Sequence, residues 1–179
     1  GGEEVEGGWG GEDYAPVGAL RCGWEPLQLA RLSVRGWSGL TQLELTAAER
    51  LESLNLGDCK QLLSLRLATP ALTRLTAYGC VLLVTAELIC PRLTHLVLNL
   101  CKRLQLLEIE PAPLALVNLH SCRELGVPAL TALLQDSGGA LETLDLNGCI
   151  ATEDASEALL RKWCPALVSL DARGRTRKY

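Results

Sequence analysis

Four cysteines, Cys59, Cys80, Cys101 and Cys122, fall 21 residues apart, and each closes the same nine-residue phrase. Apolar residues hold its first, fourth and sixth places, and cysteine holds the ninth. It reads Leu51-x-x-Leu54-x-Leu56-x-x-Cys59, then Leu72-x-x-Leu75-x-Ala77-x-x-Cys80, Leu93-x-x-Leu96-x-Leu98-x-x-Cys101 and Leu114-x-x-Val117-x-Leu119-x-x-Cys122. It returns at Leu141-x-x-Leu144-x-Leu146-x-x-Cys149, in a weaker copy at Leu29-x-x-Leu32-x-Val34-x-x-Trp37, and in a partial copy at Leu167-x-x-Leu170-x-Ala172. Apolar residues two apart point to the same side of an extended strand, so the fourth and sixth places face one core. The ninth place sits where the chain bends away from the strand. A small, mostly apolar cysteine fits there, and its thiol can partner loop backbone. One such coil cannot bury its own apolar edge, so neighbouring coils must stack.

A fixed period in the range of roughly 20–29 residues, carrying this phrase, is the signature of a leucine-rich-repeat solenoid. The expected fold class is therefore α/β: an open, right-handed, curved array of about seven coils. A second leucine phrase follows the first by about 11 residues, at Leu40/Leu43/Leu45, Leu62/Leu65/Leu67, Leu83/Ala86/Leu88 and Leu104/Leu107/Ile109. Its period of two predicts short strands on the back of the 21-residue coils. Pro70, Pro91 and the Pro111/Pro113 pair bound those strands. After Cys122 the phrase starts lie further apart, at Leu114, Leu141 and Leu167. These coils run to about 26–27 residues, still within the span of such repeats. The added residues predict backing helices. Pro128 suits a first turn, Leu130, Leu133 and Leu134 form an apolar face, and Gly138-Gly139 ends it. In the next coil Asp154 and Glu157 make a capping-box-like start before Leu159, Leu160 and Trp163, and Cys164-Pro165 closes it.

The flanks differ in kind. Residues 1–20 are glycine-rich and acidic without period, as expected of a flexible tail in which Trp9 and Tyr14 are stray aromatics. The repeat domain is expected over 21–174, with Trp24 and Pro26 over its N-terminal end, and a basic tail over 175–179. The chain has no methionine and opens on Gly1, as expected of a fragment or a processed product.

A net charge of −4 argues against bulk nucleic-acid binding, which needs a basic surface. No uninterrupted apolar run is long enough to span a membrane. Five of the eight cysteines share one repeat position, so they read as free packing thiols in a reducing compartment, cytoplasmic or nuclear. Cys22 lies outside the pattern. No C-x-x-C or matched histidine pair suggests a metal, and no cofactor is expected.

The stretch Leu141 to Leu167, LETLDLNGCIATEDASEALLRKWCPAL, resembles the cysteine-containing leucine-rich repeat of F-box/leucine-rich-repeat proteins. The resemblance rests on Cys149, on Thr152 to Asp154, on Leu159/Leu160 and on Cys164-Pro165-x-Leu167, and it extends over about residues 30 to 172. The 21-residue coils look like those of plant-type members. Such proteins are substrate receptors of cullin-type (SCF) ubiquitin ligases, so the resemblance implies a part in ubiquitin-dependent protein catabolism. Nothing in residues 1 to 28 reads as the helical F-box that docks the Skp adaptor. The resemblance therefore implies the substrate-recognition half, with Skp adaptor and cullin reached only through an upstream F-box. The alternative is a stand-alone binding or inhibitor module.

Outward places of the front strands are the third, fifth and seventh, and these line the expected concave face. The third places are Arg31, Ser53, Arg74, His95, Leu116, Thr143 and Ser169. The fifth are Ser33, Asn55, Thr76, Val97, Asn118, Asp145 and Asp171. The seventh are Arg35, Gly57, Tyr78, Asn99, His120, Asn147 and Arg173. Arginine and tyrosine are favoured interface anchors, which centres the expected protein contact on Arg74, Tyr78, His95, Asn99 and His120. Arg31, Arg35 and Arg74 at one end against Asp145 and Asp171 at the other would orient a partner. His95 and His120 are expected roughly 14 Å apart, too far to share a metal or a proton relay. With no phosphate loop or nucleophile motif, no catalysis is expected.

Overall fold

The computed structural model describes residues 20–22, 29–46, 48–149, 160 and 162–172. The chain begins with β1 (Leu20–Cys22), β2 (Arg31–Ser33), β3 (Gln42–Leu45), β4 (Ser53–Asn55), β5 (Ser64–Ala68) and β6 (Arg74–Thr76). It continues with β7 (Thr85–Ile89), β8 (His95–Val97), β9 (Leu106–Ile109) and β10 (Leu116–Asn118). Helix α1 (Val127–Ser137) and a 3-10 turn (Gly138–Ala140) precede β11 (Thr143–Asp145) and β12 (Ser169–Asp171). The expected helix at 154–163, the placement of Trp24 and Pro26, and Trp9, Tyr14, Arg173 and the basic tail fall wholly or largely outside the described residues.

The strands alternate between two sheets, as stacked coils require. One sheet runs β1-β3-β5-β7-β9, the other β2-β4-β6-β8-β10-β11-β12, and every pairing is parallel. The chain is thus a parallel-sheet solenoid, and about four turns give one strand to each sheet. Ser53, Arg74, His95 and Leu116 stand in register, each one repeat period beyond the last. The first step, from Arg31 to Ser53, is longer by one.

The core lies between the sheets. Leu54, Leu75, Leu96, Val117 and Leu144, all fourth-place residues, are buried, as are the first- and sixth-place residues of the same phrases. The back strands contribute Leu43, Leu65, Ala86 and Leu107, also buried. These are the fourth places of the second phrase, so both sheets are explained by one alternation. β1 adds a strand that the leucine pattern did not announce, with Cys22 in register with Leu45. In retrospect Val17-x-x-Leu20-x-Cys22 is another copy of the second phrase.

The cysteines do more than fill the bend. Each thiol donates to the sixth-place carbonyl of the coil before it: Cys59 to Val34 (3.2 Å), Cys80 to Leu56 (3.2 Å), Cys101 to Ala77 (3.1 Å), Cys122 to Leu98 (3.2 Å) and Cys149 to Leu119 (2.9 Å). The ladder therefore ties coil to coil. Leu56, Leu98 and Leu119 accept a second bond from the Cys59, Cys101 and Cys122 amides of their own coils. Immediately before the ninth place every described coil uses a left-handed residue: Gly36, Asp58, Gly79, Leu100, Ser121 and Gly148, with φ from 60° to 75°. That reversal lets the eighth-place amide donate to the seventh-place carbonyl of the next coil, as Gly79 does to Asn99 and Leu100 to His120. A second corner, after the back strand, buries Thr69 and Cys90, whose Oγ1 and Sγ lie 3.2 Å apart.

Helix α1 follows β10. Gly126 is its N-cap, Pro128 sits in its first turn, and Leu130, Leu133, Leu134 and Ser137 are buried. Ser137 Oγ accepts the Ala112 amide at 3.1 Å, which joins the helix end to the coil before it.

Candidate functional site

The outer face of the seven-stranded sheet carries the third, fifth and seventh places in rows. Its third-place row, Arg31, Ser53, Arg74, His95, Leu116, Thr143 and Ser169, is continuous in register across all seven strands. The fifth-place row ends in Asp145 paired with Asp171. Seventh-place residues lie just beyond the strands, held by the interlocking backbone bonds at the left-handed turns.

Side chains on this face are not equally free. Arg35 donates to Asp58 Oδ2 from Nη2 (3.2 Å) and Nε (3.4 Å), and its guanidinium lies 5.4 Å from the centre of the Tyr78 ring. Tyr78 in turn covers Gly57: a Cβ there would collide with the ring, at 2.8 Å from Cζ. Desolvation, followed by a hydrogen bond to Asp58, pushes the Tyr78 phenol above its usual value, with Arg35 opposing. Arg35, Asp58 and Tyr78 thus form one braced unit across three coils. A rigid aromatic loses little entropy when a partner packs on it.

The fifth-place row is partly committed to the fold. Asn55 Oδ1 accepts the Gly57 amide (2.9 Å), Asn118 Oδ1 the His120 amide (3.0 Å) and Asp145 Oδ1 the Asn147 amide (3.0 Å). The same Asp145 oxygen lies 3.9 Å from His120 Nδ1, an ion-pair distance when the ring is charged. His95 has a different environment, its Nδ1 being 2.9 Å from Thr94 Oγ1. His95 is in register with Leu116 rather than with His120, so the two histidines stand four residues out of step on neighbouring strands.

Geometry therefore gathers Arg74, Tyr78, His95 and Asn99 onto two adjacent coils, with His120 on the next. It changes the expected charge gradient. Arg35 is neutralised by Asp58, an eighth-place residue absent from the outward rows, and Asp145 serves a turn. Arg31 and Asp171 also have partners. Arg74 is exposed and has no ion pair among the described residues.

Elsewhere, the back sheet carries an in-register charge row of Glu44, Arg66, Glu87 and Glu108. Arg66 bridges Glu44 (3.8 Å) and Glu87 (3.4 Å). A groove of about 550 Å3 lies between β9 and α1, lined by Leu106, Leu107, Ile109, Ala129 and Leu133. At its rim Gln105 Nε2 donates to Glu124 at 2.7 Å.

Cys59, Cys80, Cys90, Cys101, Cys122, Cys149 and Cys164 are free thiols. Burial pushes Cys59 and Cys149 up to about 11 and Cys122 to about 12, and raises Cys90 and Cys164 as well. Contact with Cys80, then burial, raises Cys101, while the same contact draws Cys80 down. Protonated, inaccessible thiols are structural rather than reactive. No helix among the described residues is long and apolar enough to cross a membrane. The sequence matches no protein-family model, no curated protein and no solved structure.

Proposed function

We propose that this chain is a protein-recognition module and that the outer face of its seven-stranded sheet is the recognition surface. The observation that carries this reading is the shared register of the third-place row, which sets Arg74 beside His95 and leaves Tyr78 and Asn99 further along the same two coils. Such a face, polar, rigid and continuous over seven strands, suits a protein partner better than a small molecule, which favours a concave apolar cavity. In its finer form the fold is a right-handed leucine-rich-repeat array of about seven coils, with helix-backed coils after Cys122. The seven-stranded order and the position of α1 between β10 and β11 support this.

By resemblance of the 141–167 repeat, the module serves as the substrate-recognition part of an F-box-type ubiquitin ligase receptor. It then works in the cytoplasm or nucleus, which the free thiols support. The test is affinity capture of the longest native form of the chain from its own cells, probed for the Skp adaptor and cullin. Co-purification of both supports the ligase reading. Their absence, with other proteins retained in a face-dependent way, leaves a stand-alone binding module. Replacing Arg74, Tyr78 and His120 together by Ala is expected to abolish partner capture while the thermal melt stays cooperative. Capture unchanged by that triple replacement overturns the face.

A further inference from the structure

The two coils β6 and β8 differ from their neighbours in what they leave unpaired. Arg74, at the third place of β6, is exposed and has no ion pair among the described residues. Next to it in register is His95, also exposed. The proton on His95 can be assigned from the hydrogen bonds around it. Thr94 has a single hydroxyl hydrogen, and it goes to the Thr73 carbonyl at 2.9 Å, since a carbonyl only accepts. Thr94 Oγ1 must then accept from His95 Nδ1–H at 2.9 Å. The ring is thereby oriented, and Nε2 is left for a partner outside the chain. On the other side of His95, β10 offers the uncharged Leu116, with His120 four residues further on.

Along both strands the outward places follow at two-residue steps, roughly 7 Å each. From Arg74/His95 the face passes to Thr76/Val97 and then to Tyr78/Asn99. An extended peptide presents residues i, i+2 and i+4 to one side at the same spacing. The free guanidinium calls for a carboxylate at one end, Val97 and the Thr76 methyl for an apolar side chain in the middle, and Asn99 with the Tyr78 phenol for a polar one at the other end.

Resting on the recognition-face reading, we propose that Arg74 and His95 form the acid-binding subsite of a slot for an extended peptide, with Asp or Glu at one position and an apolar residue two positions away. A carboxylate there draws one charge-assisted bond from Arg74 and a second from His95 Nε2. Because Nδ1 already carries a proton, Nε2 donates only when the ring holds two. The second bond therefore needs the doubly protonated ring, whereas the bond from Arg74 does not.

The experiment is selection of displayed random heptapeptides on the immobilised chain, with Arg74→Gln and the Arg74/Tyr78/His120 triple alanine variant in parallel, all first shown by circular dichroism to be folded. The expected wild-type consensus has an acidic residue two positions from an apolar one. Arg74→Gln loses the acidic preference but still enriches peptides with the apolar position. The selected peptide, dye-labelled for anisotropy, binds at least 5-fold more weakly to a folded His95→Ala chain than to the parent, and its Glu→Gln version loses that difference. A consensus that has no acid, or that keeps its acid in Arg74→Gln, overturns the slot while the face stands, provided the triple variant abolishes enrichment. No enrichment, or enrichment that survives the triple variant, overturns both. An Arg74-dependent preference that His95→Ala leaves unchanged removes His95 from the subsite.

Discussion

Replacing Cys101 by alanine tests whether the cysteine ladder holds the coils together. Its side chain is fully buried, and its thiol donates across the coil boundary to the Ala77 carbonyl at 3.1 Å. Removing the sulfur forfeits about 1 kcal/mol of burial. The void left behind, on the order of 25 Å3, adds about 0.6 kcal/mol if the coil does not collapse onto it. The lost contact to Ala77 adds about 0.5 kcal/mol, at the low end for hydrogen bonds because a thiol is a weak donor. The expected loss of about 2 kcal/mol lowers the melting temperature by about 4–8 °C for a chain of this size. Serine is expected to be no better. Its oxygen sits closer to Cβ than sulfur does and falls short of the carbonyl, so a hydroxyl is buried with a poor partner at a cost of about 1–3 kcal/mol. Thermal melts followed by circular dichroism, with urea midpoints at constant slope, read the difference. A Cys101→Ala melt indistinguishable from that of the parent would refute the structural account of the ladder. A Cys101→Ser chain as stable as the parent would show that the hydrogen bond matters and the sulfur volume does not.

Three further outcomes follow from single observations. Gly79→Ala is expected to lose about 1–2 kcal/mol in urea titrations, because φ is +69° and the new Cβ would sit 2.7 Å from Asp58 Oδ1. In alkali, Cys59, Cys122 and Cys149 keep their protons to about 11 or 12 when folded, against the ordinary 9.0, so the unfolded chain releases protons first. Their contribution is complete below pH 9 and is lost as pH climbs towards 11–12, at up to about 1.4 kcal/mol per pH unit for each thiol. A melting temperature level from pH 8 to 11 would contradict that. Gly57→Ala is expected to swing the Tyr78 ring aside with little loss of stability, since the clash is with a side chain that can move, and so to weaken partner capture while the phenol remains present.

Register was legible in the sequence because a parallel stack of equal coils puts equal places side by side. Once the phrase is numbered, Arg74 must stand beside His95, and it does. The sixth-to-ninth-place bond was half legible. Cysteine was expected to meet loop backbone, but that the carbonyl belongs to the preceding coil depends on how the turns interlock. Asp58 was not legible as part of the site. It occupies the left-handed eighth place, which reads as turn, and only the offset between successive coils brings it to Arg35 and Tyr78. The second corner, with Thr69 against Cys90, left a signal in the repeated Thr69-Pro70-x-Leu72, Cys90-Pro91-x-Leu93 and Cys164-Pro165-x-Leu167, whose leucine amides all bond back to the residue before the proline.

The fifth place separates the coils that serve the fold from those that face outward. Where it is Asn55, Asn118 or Asp145, a side-chain oxygen closes the turn onto the seventh-place amide at 2.9–3.0 Å. Thr76 and Val97 make no such bond, and theirs are the coils that carry Arg74, Tyr78, His95 and Asn99. Val97 is half-exposed between His95 and Asn99, so its apolar surface is not consumed by the core. Val97→Asn would restore the cap, donating nothing to the core but accepting the Asn99 amide, and is expected to stabilise the chain by about 0.5–1 kcal/mol. It would also place an amide in the middle of the slot where an apolar side chain is expected, so selected peptides should lose their apolar position and bind less tightly. A gain in stability with a loss of binding is what a residue kept for recognition shows. A variant that gains stability and keeps the same peptides would mean that this row is indifferent to a partner, and the contact would then have to be sought at the seventh place alone, around Tyr78 and its brace of Arg35 and Asp58.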